Sequence, residues 1–214
     1  MKQLLFLFTF CLLTSCNKRV VQLPETTNKY ITEVIDVSPV YMFYEEETDS
    51  VEFNRRNMIS ATNWLVNIDK RLTLKQILPH LQYLQEKRQG GEKHSFHNYF
   101  TCNNTDLKNL SFIEFTNDKY SMNIENGDYE SDKIFIYVHA NGKTSSSNDL
   151  HNEYESFSRY INLKKEYLKN NSQFEAILFL HEALTFQDYI NIKSQLLSVK
   201  SDILNITNNQ IIFN

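Results

Sequence analysis

Apolar and polar positions along the chain follow two rhythms and one unbroken run, and each predicts its own element. "VYMFY" (Val40 to Tyr44) and "TNWLVNID" (Thr62 to Asp69) are short runs rich in β-branched and aromatic residues and read as strands, the first ending in an acidic turn at "EEETDS". In "TLKQILPHLQYLQEK" the apolar positions shift to Leu74, Ile77, Leu78, Leu81 and Leu84, the spacing of one helix face. Thr73 with Gln76 forms a capping box that satisfies free N–H groups at the helix start. Pro79 removes a donor inside this helix, so a kink is expected there. "EKRQGGEKHS" (Glu86 to Ser95) reads as a loop. Further on, "KIFIYVHANGK" is a strand running into the turn dipeptide Asn141-Gly142. A helix is expected from about Leu150 to Lys169, with Leu150, Tyr154, Phe157, Ile161 and Leu168 on one face. "FEAILFLHE" (Phe174 to Glu182) is apolar without interruption, as in a strand covered on both sides. Tyr189, Ile192, Leu196, Val199 and Ile203 mark another helix, capped by Thr185 and Asp188, and "NQIIFN" closes the chain as a strand. The predicted fold is α/β (α+β): a mixed sheet with helices packed on it.

The two best strand–helix units echo each other. "WLVNIDKRLTLKQ" (Trp64 to Gln76) and "AILFLHEALTFQD" (Ala176 to Asp188) align without a gap at an offset of 112, each reading as strand, polar pair, then Leu-Thr opening a helix. Two similar halves follow as an expectation, 39–126 and 127–214. Only Leu-Thr is identical, so the echo fits an internal duplication and also fits two unrelated capped units.

The N-terminus carries a different signal. Lys2 precedes the apolar run "LLFLFTFCLL", whose ten residues make a helix of about 15 Å, half of what a bilayer core requires. A targeting segment is the better reading, and no A-x-A cleavage site follows it. Leu13-Thr14-Ser15-Cys16 resembles the lipobox of bacterial lipoproteins. That resemblance implies a signal peptide over 1–15, cleavage before Cys16, a lipid on its thiol (palmitate among the acyl chains), and a lipid-anchored tether over 16–38. Two or more chains, at about 0.8 kcal/mol per buried CH2, make such an anchor durable. Asn17-Lys18-Arg19 has no acidic run of the kind that resembles a surface-export signal, which favours the periplasmic side of the cell envelope.

Composition narrows the chemistry. Lys and Arg number 22 against 26 Asp and Glu, a net charge of −4 that leaves no basic footprint for nucleic acid. With Cys11 in the signal and Cys16 acylated, Cys102 stands alone and no intrachain disulfide is possible. Asn occurs 24 times, so the sequon-like triplets at Asn103, Asn170 and Asn205 carry little weight. His94 and His97, with Glu92 and Cys102 nearby, are the most metal-like cluster, but H-x-x-H lacks a companion pair and no metal or other cofactor is assigned. His181-Glu182 ends a strand where α/β folds often place chemistry, yet Thr185 occupies the position where H-E-x-x-H requires its second histidine. Cys102 invites a nucleophile reading with a distant histidine, though nothing in "YFTCNNT" lowers its pKa and a half-buried thiol is expected. G-x-S-x-G, P-loop and G-x-G-x-x-G motifs are missing. Tyr41, Phe43 and Tyr44, beside the acidic turn, are candidates for an exposed aromatic patch.

The second half also resembles the periplasmic domain of the ExbD/TolR family, through "IYVHANGK", the helix after "SSSND", "ILFLHEALTFQDYINIKSQLL" and "QIIF". Asp69 in "NIDKRLTLKQIL" takes the family's acidic strand-end position; His181-Glu182 departs from it. Proton-driven work in that family needs a transmembrane helix with an ionisable Asp, which a lipobox replaces here, so only a protein- or peptidoglycan-binding fold is implied. The expected function is a non-enzymatic envelope lipoprotein that binds or scaffolds another envelope component, protein or peptidoglycan. The alternative is an envelope hydrolase using His or Cys chemistry at His94, His97, Cys102, His181 or Glu182.

Overall fold

The computed structural model describes residues 19–27, 31–89, 96–122, 133–147, 149–170, 175–199 and 205–214. The signal-like segment, Cys16, Glu92 and His94 lie outside the described residues.

The chain is an α/β fold of two mixed six-stranded sheets and, among the described residues, three helices. The first sheet contains β1 (Glu25–Thr26), β2 (Val37–Glu45), β3 (Ser50–Asn54), β4 (Asn63–Ile68), β5 (Asn98–Asn104) and β6 (Asn109–Glu114). Its order is β1-β5-β4-β2-β3, with β6 antiparallel to β5. Helix α1 (Leu74–Gln89) joins β4 to β5. The second sheet contains β7 (Lys119–Ser121), β8 (Lys133–Val138), β9 (Thr144–Ser146), β10 (Asp149–Tyr154), β11 (Glu175–His181) and β12 (Asn205–Phe213), in the order β10-β9-β8-β11-β12-β7. Helix α2 (Phe157–Asn170) follows β10, and α3 (Phe186–Val199) joins β11 to β12.

The two halves share one plan. A hairpin (β2–β3 or β8–β9) lays its first strand parallel to a central strand (β4 or β11), and a helix then crosses over to a parallel neighbour (β5 or β12). Alternation dictates the strands. Trp64, Val66 and Ile68 face inward on β4, as do Ile134, Ile136 and Val138 on β8. β11 is buried on both sides as its apolar run requires: Ala176, Leu178 and Leu180 join the main core, while Ile177 and Phe179 pack on the opposite face with Ile211, Phe135, Tyr137 and Phe213. A single core spans both halves, because Phe186 and Tyr189 of α3 stand edge-on to Phe100 of β5 at 5.2 and 5.9 Å.

The echo in the sequence is a physical joint. Thr73 and Thr185 form an antiparallel bridge. Around it, Leu74 N–H donates to the Leu184 carbonyl (2.9 Å) and Phe186 N–H to that of Leu72 (2.7 Å). Lys75 N–H donates to the Glu182 carbonyl (2.9 Å) and Gln187 N–H to that of Lys70 (3.2 Å). The offset of 112 exchanges the two bonds of each pair, so the halves meet about a local pseudo-two-fold axis. Both predicted caps form: Thr73 N–H donates to Gln76 Oε1 (2.8 Å), and Thr185 Oγ1 to Asp188 Oδ2 (2.6 Å).

Several expectations are corrected. The helix expected from Leu150 is strand β10 through Tyr154, and α2 starts only at Phe157, where Ser156 Oγ accepts the Arg159 N–H at 3.2 Å. The free edge of β9 draws residues 149–154 into pairing, overriding a spacing that also fits a helix. Helix α1 keeps Pro79 inside its Leu74–Gln89 span, where the missing N–H leaves the Lys75 carbonyl without its usual intrahelical donor. Cys102 is completely buried on the inner face of β5, not half-buried. Residues 19–26, expected to be tether, are docked: Asn103 N–H donates to the Pro24 carbonyl (2.8 Å) and Lys70 N–H to that of Gln22 (2.8 Å). None of the helices among the described residues is long and apolar enough to cross a membrane.

Candidate functional site

The described residues singled out for chemistry sit apart and are bound into local structure. His97, just before β5, holds Glu114 Oε1 of β6 through Nδ1 at 2.7 Å. Cys102 faces the core four residues into β5, where burial pushes its thiol up to about 12 and leaves it no thiolate at neutral pH. His181 ends β11 in the other sheet; its Nδ1 accepts the Ala183 N–H at 3.1 Å and its ring meets Phe213 at 5.2 Å. Glu182 pairs with Lys75 across the joint at 2.7 Å. Among the described residues no group of three or more His, Cys, Asp or Glu is placed to hold a metal ion. Tyr41 and Phe43 stack at 5.6 Å on the face of the first sheet away from the core and are partly buried. Tyr44 instead packs on the core, with Arg71 over its ring at 4.7 Å.

Two arrangements were not legible in the sequence. In the first, Lys193 of α3 is buried and binds Asp118, which precedes β7. The Tyr120 hydroxyl donates to Asp118 Oδ2 at 3.2 Å and lies 3.0 Å from that of Tyr189. Burial, with the Asp118 charge close by, drives both phenols far above their ordinary range, so they stay protonated. A cavity of ≈ 40 Å³ beside this cluster has room for little more than water, and Gln210 Oε1 is buried there without a partner. Its chemistry is that of a clamp holding β7 against α3. A signal existed in principle, since a lysine on an otherwise apolar helix face requires a buried counter-charge.

The second is a polar groove of ≈ 520 Å³ between β1 and α3, lined by Thr26, Thr105, Gln187, Asn191, Ser194 and Gln195 among others. Gln187 ties its two walls together, accepting the Glu25 N–H (2.8 Å) and donating to the Glu25 carbonyl (3.0 Å). Gln195 Oε1 is buried with no hydrogen-bond partner. Hydroxyls and amides at this density, with Glu25 beside them, suit hydrogen bonding to a polar ligand.

The N-terminal strap that forms one wall is locked by Asp69. This fully buried carboxylate accepts the Gln22 N–H at 3.1 Å, and Arg71 through Nε at 2.9 Å and Nη2 at 3.0 Å. Burial alone would raise its pKa; the bonds from Arg71 and from the Gln22 N–H outweigh that and hold it below the usual carboxylate range.

No family model matches the chain, and neither a curated protein nor a solved structure matches it.

Proposed function

We propose that this chain is a non-enzymatic lipoprotein of the bacterial cell envelope, anchored through Cys16 and facing the periplasm, where it binds or scaffolds another envelope component. The observation that carries the reading is the placement of the strap. Arg19, three residues after Cys16, pairs with Glu45 at 3.7 Å and with Glu52. Three extended residues reach about 10 Å. A body laced in so soon after its anchor is held against the bilayer instead of roaming on a long leash. Dispersal of the described His, Cys and Glu candidates removes support from the hydrolase alternative. The second half keeps the order strand, turn, helix, strand, helix, strand on which the ExbD/TolR resemblance rests, with β9 and β10 added between turn and helix. Protein or peptidoglycan is therefore the partner class that the reading favours.

Labelling cells with radioactive palmitate tests the anchor: wild type takes up label and partitions into detergent, while Cys16→Ser does neither. Equal behaviour of the two chains overturns it. Photocrosslinkers placed at Asn191 and at Phe43 test the binding role in intact cells. The reading expects a discrete adduct with envelope protein or peptidoglycan from at least one position, and fails if neither yields any.

A further inference from the structure

The two halves differ at one edge. In the second half, the outer side of β9 carries β10, antiparallel, with Tyr154 opposite Thr144 and packed on Tyr160 of α2 at 5.2 Å between ring centres. Lys164 of α2 binds Asp149 of β10 at 2.7 Å and fastens the addition. In the first half the corresponding strand is β3, and among the described residues no strand pairs with its outer side. Residues 55–62 connect β3 directly to β4, where the second half interposes β10 and α2.

The pairing pattern shows what this edge offers. Asp69 N–H donates to the Met42 carbonyl and Asn63 N–H to that of Asp36, so even-numbered positions of β2 turn toward β4. Odd-numbered Tyr41, Phe43 and Glu45 then bond Asn54, Glu52 and Ser50 of β3. Val51 and Phe53 are left with their N–H and C=O groups directed outward, the template that sheet edges present to an added strand. On the helix side of this edge Phe53 touches His80 (4.6 Å) and Tyr83 (5.9 Å) of α1, all three partly exposed. The α3 position matching His80 at the offset of 112 is Ile192, which is buried. On the opposite face Glu52 stands beside Glu45 and already attracts Arg19.

We propose that the outer edge of β3 receives, in antiparallel pairing, an extended segment of another protein that carries Lys or Arg between two apolar residues. The apolar pair extends the Val51–Phe53 face toward His80 and Tyr83, and the cation lies opposite Glu52. A second copy of this chain is disfavoured, because the self-pairing that uses all of β3 sets Glu52 against Glu52, and like charges directly opposed destabilise a sheet. The proposal deepens the binding reading above by naming a surface and a partner chemistry, and its test is independent of whether Cys16 is acylated.

The probes are two nine-residue peptides of alternating serine, threonine and valine, one with Lys at its centre between two valines and a twin with Glu there. Titrated into the 15N-labelled full chain, the Lys peptide shifts and protects the Val51 and Phe53 amides saturably, binding about fivefold tighter than its twin. Glu52→Lys reverses that preference. Val51→Pro, which removes an outward donor on an edge strand, abolishes binding while the circular dichroism spectrum stays unchanged. No saturable shift at β3, equal binding of both peptides, or shifts centred elsewhere overturns the proposal. Protection of these amides by self-association at rising protein concentration overturns it in favour of a second copy.

Discussion

The first and second halves of this chain solve the same packing problem with different parts. Position 81 on α1 is a buried leucine; its counterpart on α3 is Lys193, buried against Asp118. Position 69 at the end of β4 is a buried aspartate that secures the N-terminal strap; its counterpart is His181, partly exposed against Phe213. In the first half, among the described residues, no strand covers the outer side of β3, while in the second β9 is capped by β10 and α2. The shared strand–helix plan builds the core. The departures from it hold the polar clamp, the strap and the unpaired edge, and those are where partner-specific behaviour is to be sought.

The largest expected effect tests whether the halves are separable at all. Phe100 stacks on Phe115 at 3.8 Å and meets Phe186 and Tyr189 of the other half, so Phe100→Ala costs about 4 kcal/mol. Because this ring belongs to both halves, urea unfolding followed by fluorescence and by far-UV circular dichroism should stay one coincident transition at a lower midpoint. Two resolved transitions mean that the halves are independent domains without a common core.

Next comes the clamp. Lys193→Met strands the Asp118 carboxylate in a buried site and costs about 3 kcal/mol, whereas Asp118→Leu with Lys193→Met together recovers most of that loss. The first half, with Leu81 at the matching place, already uses the apolar solution. Failure of the double variant to recover implies that Tyr120 and Tyr189 depend on the charge pair.

Asp69→Asn costs about 2 kcal/mol at pH 7 by weakening the charge-assisted bonds from Arg71 and Gln22. The sign with pH follows from the lowered folded-state pKa. The carboxylate's contribution is complete above the unfolded value near 4 and disappears as pH falls through the folded one. Urea melts at pH 7 and at pH 3 should therefore show the gap between wild type and Asp69→Asn closing in acid. A gap that does not narrow at all between pH 7 and pH 3 assigns the loss to shape instead of charge.

The smallest effect probes the joint. Thr73→Ala and Thr185→Ala each remove a helix cap and cost about 1 kcal/mol. Equal costs are expected from the exchange of bonds about the bridge, and the double variant should depart from additivity because the two threonines pair directly.

Legibility in the sequence followed the range of the interactions. β4, α1, β11 and α3 were readable because alternation, helical spacing and a cap three residues long are local signals. The Asn141-Gly142 turn was readable for the same reason, and Gly142 does adopt a positive φ of 77°. β5, written "NYFTCNN", is not legible locally: its Asn and Thr residues resemble a loop until β4 and β6 accept its backbone on both sides. β10 reads as helix from its apolar spacing, which fits both forms, and the free edge of β9 decides between them. Of the candidate site residues, His97, Cys102, His181 and Glu182 have clear structural partners, and no local pattern announced that Asp118 and Lys193 would meet across 75 residues.

By itself, then, the order of residues determined the class of fold, the two capped strand–helix units and the echo between them, because each depends on neighbours within a turn or a strand. Tertiary structure alone decided that the two units clasp through Thr73 and Thr185, that the strap slots in beside Asp69, and that one sheet edge is covered while no described strand covers its counterpart. Those outcomes rest on backbone groups and buried charges finding partners far along the chain, and a donor's eventual acceptor leaves no mark on the residues beside it.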